Sequence, residues 1–237
     1  MLRQLDQNLW VAEQPLTYLG LEVGTRMTAV RLSNQKLAVI SPIEMTAELK
    51  QQLDGIGSIE HIIAPNLYHY LYAGDCKSLY PNATLWGTVG LKEKQPGLAI
   101  DRLIQPDDND LWKDLSGFFF EGFKTLGSNG FEALNEWVFL HQASRTLILT
   151  DAAFHYDSSF PWAKQLIARV IGCYDALTPS LLEKVAIRDK QTLQTSVDAV
   201  LQWDFDRVVM AHGSVIEQGG KERFRQGYGK FLGNLKV

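Results

Sequence analysis

Apolar positions along this chain fall into short blocks, and their spacing switches between two residues and about 3.6. Residues 8–12 form a short apolar block that predicts a strand, and residues 25–32 alternate and are rich in β-branched side chains. Ser33-Asn34-Gln35 is a plausible hairpin turn into a further strand over 36–41. Residues 46–53 predict a helix, with Thr46 as its cap and Leu49 and Leu53 one turn apart. Ile59-Glu60-His61-Ile62-Ile63-Ala64 is short and β-branched, the pattern of a buried strand, and Pro65 ends it because proline has no N–H for a ladder. A helix over 69–79, stopped before Pro81, and a strand over 83–86 complete a β-α-β unit.

The second half repeats strands before it turns helical. Residues 118–124, 136–141 and 145–150 predict strands; Gly127-Ser128-Asn129-Gly130 separates the first two, and Ala143-Ser144 links the last two as a hairpin. Gln105 to Asp110 is a polar turn cluster. Helices follow over 161–173, from Thr178-Pro179 onward, over 191–203 and over 220–233, with a strand over 207–211 before the last. Helix 191–203 places Leu193, Val197, Val200 and Leu201 on one face, and the last helix aligns Phe224, Tyr228, Phe231 and Leu232. No repeat, low-complexity tract or linker interrupts residues 1–237, so a single domain is expected. Two sheets with helices on their outer faces accommodate this order, an α+β, four-layer αββα arrangement.

Composition narrows the function classes. The formal charge is −4, from 27 acidic and 23 basic residues, with no run of like charge. A nucleic-acid surface needs a clustered basic patch, so no nucleic-acid partner is expected. Cys76 and Cys173 have no close-spaced partner, which argues against a zinc ribbon or a disulfide framework and fits a reducing, cytoplasmic setting. The first 15 residues carry no apolar core of a secretory signal, and no stretch approaches the roughly 18 apolar residues of a span, so no membrane partner is expected.

Candidate chemistry gathers where strands end. His69 follows the strand 59–64, Asp151 ends the strand 145–150, and His212 ends the strand 207–211. In α/β sheets ligands bind beyond the carboxyl ends of strands, so the three are expected to converge on one site. Two imidazoles and a carboxylate are the protein-ligand minimum for one catalytic zinc, which would polarise a carbonyl or activate water. The alternative is that His69 and His212 are partly buried, hydrogen-bonded histidines and Asp151 a turn cap. His155, four residues past Asp151, is expected on the rim of a loop; His141 is either a structural histidine or a support to a ligand; His61, inside a strand, is structural or at the surface. Tyr68, Tyr70 and Tyr72 alternate nearby, as core packing or as pocket lining. Arg26 and Arg145 are either an anion clamp or members of internal ion pairs. Ser158-Ser159 and Ser214 lack a nucleophile elbow, and no glycine-rich phosphate loop is present.

Several of these stretches also carry a resemblance. Gly24-Thr25-Arg26-Met27-Thr28, Ser41-Pro42, Ala64-Pro65-Asn66 with His69, Phe139-Leu140-His141, Ser144-Arg145-Thr146-Leu147 and Asp151 resemble the domain-of-unknown-function family 4336, a divergent branch of the metallo-β-lactamase superfamily. The resemblance implies an αββα sandwich of metallo-β-lactamase type with a site along one edge, and no known reaction. It places Asp151 at the metal-bridging aspartate and His212, in Ala211-His212-Gly213, at the final histidine. Asn66, Tyr68, Tyr70 and Leu71 stand at the first ligand positions, and no histidine lies near Leu126 to Asn129. It therefore implies a member without the dinuclear centre, with no cofactor or a single zinc ion. Its polar cleft would serve small-molecule binding or atypical hydrolysis. The alternatives are a mononuclear metal-dependent hydrolase of a small ester, lactone or thioester, and a non-catalytic partner-binding scaffold.

Overall fold

The short apolar blocks of the first half pair into one sheet in the computed structural model, which describes residues 1–18, 20–106, 113–127 and 130–233. The chain divides into two units, Met1–Ser116 and Gly117–Val237. In the first, β1 (Arg3–Asp6), β2 (Leu9–Gln14), β5 (Thr25–Arg31), β6 (Leu37–Ile40), β7 (Ile59–Ala64), β8 (Thr84–Gly87) and β9 (Arg102–Leu103) form a seven-stranded sheet in that order. β3 (Thr17–Tyr18) and β4 (Leu21–Glu22) make a separate two-stranded ribbon. Pairing is antiparallel from β1 to β6 and parallel from β6 to β9.

Parallel neighbours need crossovers. These are α1 (Ala47–Ile56), α2 (Ala73–Leu79) and α3 (Leu91–Lys94). Thr46 caps α1 as expected, its hydroxyl accepting from Leu49 N–H at 3.2 Å. Leu49 and Leu53 are buried in one cluster with Met27, Val39, Ile62 and Leu85 of the sheet. Each such leucine contributes about 1.5–3 kcal/mol of burial. The helix expected from residue 69 begins only at Ala73. Asn66 accounts for the delay: its side chain accepts from Tyr68 and His69 N–H, so those residues belong to a turn.

The second unit opens with β10 (Leu115–Phe120), which starts at the division. β11 (Lys124–Gly127) and β12 (Gly130–Ala133) form a hairpin. The strand expected over 118–124 is split between β10 and β11. Gly122 breaks it, at φ +82°, where a Cβ would meet Leu193 N at 2.6 Å. β13 (Glu136–His141), β14 (Thr146–Ile148) and β15 (Arg207–Val209) complete a four-stranded sheet in the order β10-β13-β14-β15. β13 and β14 are the expected hairpin, joined by a 3₁₀ turn over Gln142–Ser144 with Arg145 left-handed at φ 49°. Ser128 and Asn129, and Asp107 to Asp110 of the polar cluster, lie outside the described residues.

Four helices follow: α4 (Trp162–Ile171), α5 (Leu181–Ala186), α6 (Lys190–Leu201) and α7 (Gly220–Leu232). α5 starts two residues later than Thr178-Pro179 suggests. Thr178 exchanges backbone hydrogen bonds with Phe154 and is therefore extended, and Ser180 caps instead, accepting from Leu182 N–H at 3.2 Å. Leu193, Val197 and Val200 of α6 are buried, as are Phe224, Tyr228, Phe231 and Leu232 of α7. Among the described residues no helix is long and apolar enough to cross a membrane.

Candidate metal centre

His69 is held by its own unit at two points. Asn66, fully buried just beyond β7, accepts His69 N–H at 2.7 Å and Tyr68 N–H at 2.8 Å. Ser41, buried beyond β6 at φ 53°, places Oγ 2.6 Å from His69 Nδ1. A partner at Nδ1 fixes the ring's orientation and directs Nε2 away from Ser41, the way outer groups aim an imidazole toward a ligand. Asn66, which sits at a ligand position of the resemblance, thus works as the organiser of the turn that presents His69. Of the neighbouring tyrosines, Tyr68 has Lys94 Nζ 3.8 Å from its ring centroid, and Tyr70 Oη accepts from Gln95 at 2.7 Å.

Asp151 and His212 meet within the second unit. His212 Nε2 lies 3.2 Å from Asp151 Oδ1, with side-chain exposures of 9% and 14%. Backbone pairing past the ends of two parallel strands produces this. Leu149 N–H bonds to Val209 and Ala211 N–H to Thr150, so the residues after β14 and β15 run side by side. The Phe154 ring lies 5.9 Å from the His212 ring and puts apolar surface beside the imidazole.

Two supports make the arrangement rigid. Glu136, fully buried at the start of β13, accepts Thr150 N–H at 2.8 Å on Oε1 and Asp151 and Ala152 N–H at 2.8 and 3.1 Å on Oε2. Burial, and next the Asp151 carboxylate, raise its pKa above that of a solvated glutamate, while the N–H donors act the other way. The second support is Gly213, at φ +89°. A Cβ there would stand 2.0 Å from His155 O, so only glycine lets the His155 backbone lie against the turn. Sequence reasoning missed Glu136 as the support of the Asp151 turn, although a carboxylate opening an otherwise apolar buried strand was its signal. Ser41 carried no role either, since its contact with His69 spans 28 residues.

The remaining candidates have partners of their own. His155 is buried and not a rim residue: its Nδ1 lies 3.3 Å from Ser214 O, and burial lowers its pKa. His141 is buried, with Nδ1 2.7 Å from Ser144 Oγ, and His61 accepts from Trp86 Nε1–H at 3.0 Å. Arg26 pairs with Glu13 at 2.9 Å, and Arg145 pairs with Asp204 at 2.7 Å on the surface. The structure places both arginines in ion pairs with these partners.

Residues 6–94 match the model of a family described as a domain of unknown function, DUF4336. No curated protein matches the sequence. Among solved structures, the chain is similar to the metallo-β-lactamase FIM-1 from Pseudomonas aeruginosa in its mono-zinc form, at 10% identity and TM-score 0.64, covering 98% of this chain and 96% of that one. A metallo-β-lactamase from Pontibacter korlensis aligns over 99% of each chain at 11% identity and TM-score 0.63. One from Erythrobacter litoralis aligns over 97% of this chain and 96% of its own at 14% identity and TM-score 0.65. These likenesses show that the fold is that of the metallo-β-lactamases, the α+β class expected from the sequence.

Proposed function

We propose that this chain is a metallo-β-lactamase-fold protein without a dinuclear centre, in which His69, Asp151 and His212 hold one divalent cation for the hydrolysis of a small ester, lactone or thioester. The observation that carries the reading is the Asp151–His212 pair, 3.2 Å apart and scarcely exposed. The donor set suits zinc, two imidazole nitrogens and one carboxylate oxygen with a position left for substrate or water. The mono-zinc form of FIM-1 is a precedent for a single ion on this fold. When bound, the ion supplies Lewis-acid polarisation and activation of water. The chain's own residues orient the donors: Ser41 fixes the His69 ring, Glu136 the backbone of Asp151, and Gly213 the turn after His212. Asn66, Tyr68 and Leu71 replace the donors that a second ion requires.

A second reading is favoured by the same pair. Asp151 and His212 already satisfy one another, so a metal-free cleft could use them as a base and its orienting partner for ligand binding or atypical hydrolysis. Metal analysis of tag-free protein, followed by zinc titration, separates the two. The metal reading expects one zinc per chain in the native protein, and none retained by Asp151→Asn with the fold unchanged by circular dichroism. Metal-free protein that takes up no zinc at micromolar concentration refutes it.

A further inference from the structure

Two consecutive helices in the second unit are turned inside out. In α4 the buried residue is Ala168, while Trp162, Leu166, Ile167 and Val170 face solvent, Trp162 at 78% and Val170 at 69% exposure. Trp162, Leu166 and Val170 lie four residues apart on one stripe, and Ile167, three residues before Val170, widens it. In α5 the buried residues are Glu183 and Ala186, while Leu181, Leu182 and Val185 are exposed, Val185 at 72%. Gly172, which caps α4, lies against Leu181, with a Cβ there 3.4 Å from Leu181 Cγ, so the two stripes adjoin. A carboxylate inside and leucines outside reverses the usual order of burial, and an apolar stripe of this size marks an interaction surface.

The charges beside the stripe select its occupant. Arg169 on α4 and Lys184 on α5 are basic and exposed, while Lys164 shares the side of Ala168 with its Nζ 5.8 Å from the Phe160 ring; neither helix exposes a carboxylate, since Glu183 is buried. Arg188 lies just past α5 and is exposed. Of the nearby acids, Asp175 lies 3.4 Å from Arg223, Asp157 accepts the N–H and hydroxyl of Ser159, and Asp189, next to Arg188, accepts the N–H and hydroxyl of Thr192. Arg169 lies 3.6 Å from the centroid of the Tyr174 ring, which holds its charge close to the stripe. In a chain of net charge −4, this face is locally positive. A second copy related by a twofold axis would bring like charges together.

We propose that the face formed by α4 and α5 docks on an anionic lipid bilayer. Its exposed tryptophan and aliphatic stripe would enter the headgroup boundary, and Arg169, Lys184 and Arg188 would lie over acidic headgroups. Interfacial helices combine these features, and lysine or arginine near an anionic surface is attracted to its headgroups. That no helix among the described residues is long and apolar enough to cross a membrane bears on insertion, not on surface docking.

The test is co-sedimentation of the full chain with vesicles of phosphatidylcholine alone or with one quarter phosphatidylglycerol, alongside sedimentation velocity without lipid. The expected result is binding to the anionic vesicles only, weakened at least tenfold by Leu166→Asp/Val170→Asp and by raising salt from 50 to 300 mM, with circular dichroism unchanged. Absence of binding to anionic vesicles overturns the proposal, as does binding insensitive to the double variant. A dimer in the absence of lipid that the double variant dissociates also overturns it, by assigning the face to a second copy.

Discussion

Replacing Glu136 by glutamine tests whether this buried carboxylate holds the Asp151 turn. Both of its oxygens accept backbone N–H groups, one from Thr150 and two from Asp151 and Ala152, at 2.8 to 3.1 Å. A glutamine has one carbonyl oxygen and one NH₂ group. In its best orientation it keeps Asp151 and Ala152 and turns an N–H donor toward the N–H of Thr150. One buried donor is then left unpaired, which costs about 1–3 kcal/mol. For a chain of this length 1 kcal/mol moves Tm by about 2–4 °C, so the drop is about 2–12 °C. Glu136→Ala strands all three donors and leaves a cavity, and its cost exceeds about 3 kcal/mol. Urea unfolding followed by circular dichroism measures both, with the slope unchanged where only stability has changed. Glu136→Gln within about 0.5 kcal/mol of the parent, the range of an ordinary surface substitution, would refute the assignment.

Three further outcomes are expected. Gly213→Ala puts a Cβ 2.0 Å from His155 O at a positive φ, so it should destabilise by more than about 3 kcal/mol; a midpoint within 1 kcal/mol of the parent would show that the turn relaxes at little cost. Ser41→Gly tolerates the left-handed backbone but removes the hydroxyl from His69, so zinc affinity measured by competition with a chelator should fall about 10–100-fold while urea stability changes little. Glu183 is buried and its folded pKa is raised, chiefly by desolvation, so its contribution is fully present below the unfolded value of about 4.3 and is lost as pH rises through the folded value. Stability of the parent relative to Glu183→Gln should therefore decline from pH 4 upward, with a slope of at most about 1.4 kcal/mol per pH unit; a difference that does not vary with pH contradicts it.

Periodicity made the scaffold legible because it records contacts that each element makes along its own length. Thr46 with Leu49 and Leu53, the run 59–64, and the stripe from Phe224 to Leu232 all behave as their spacing demands. Boundaries failed where a distant residue intervened. Gly122 breaks a strand because Leu193 approaches it, and α5 starts late because Thr178 pairs with Phe154. Asp151 and His212 were visible as polar groups at strand ends, and the structure pairs them. Glu136 and Ser41 were not, since each acts through partners 14 or more residues away. Periodicity also tells which side of a helix is apolar without telling which side is buried, and α4 and α5 turn on that difference.

The supports around Asp151 bear on whether the site is a relic. A turn cap needs one carboxylate and a few N–H groups, and a neighbouring aspartate supplies that at the surface at little cost. Here the backbone of the turn is held by a second, buried carboxylate, whose desolvation is unfavourable. The facing turn admits no side chain at Gly213, and the His212 imidazole is brought to 3.2 Å from Asp151 Oδ1. Turn formation alone needs none of these three, and each fixes the position of the Asp151 and His212 backbones. Rigid placement of a carboxylate against an imidazole is what a bound ligand requires, because donors held in place before binding lose little freedom when it occurs. The geometry of the pair is therefore what supports the proposed metal site, and zinc titration of the parent and of Asp151→Asn tests it.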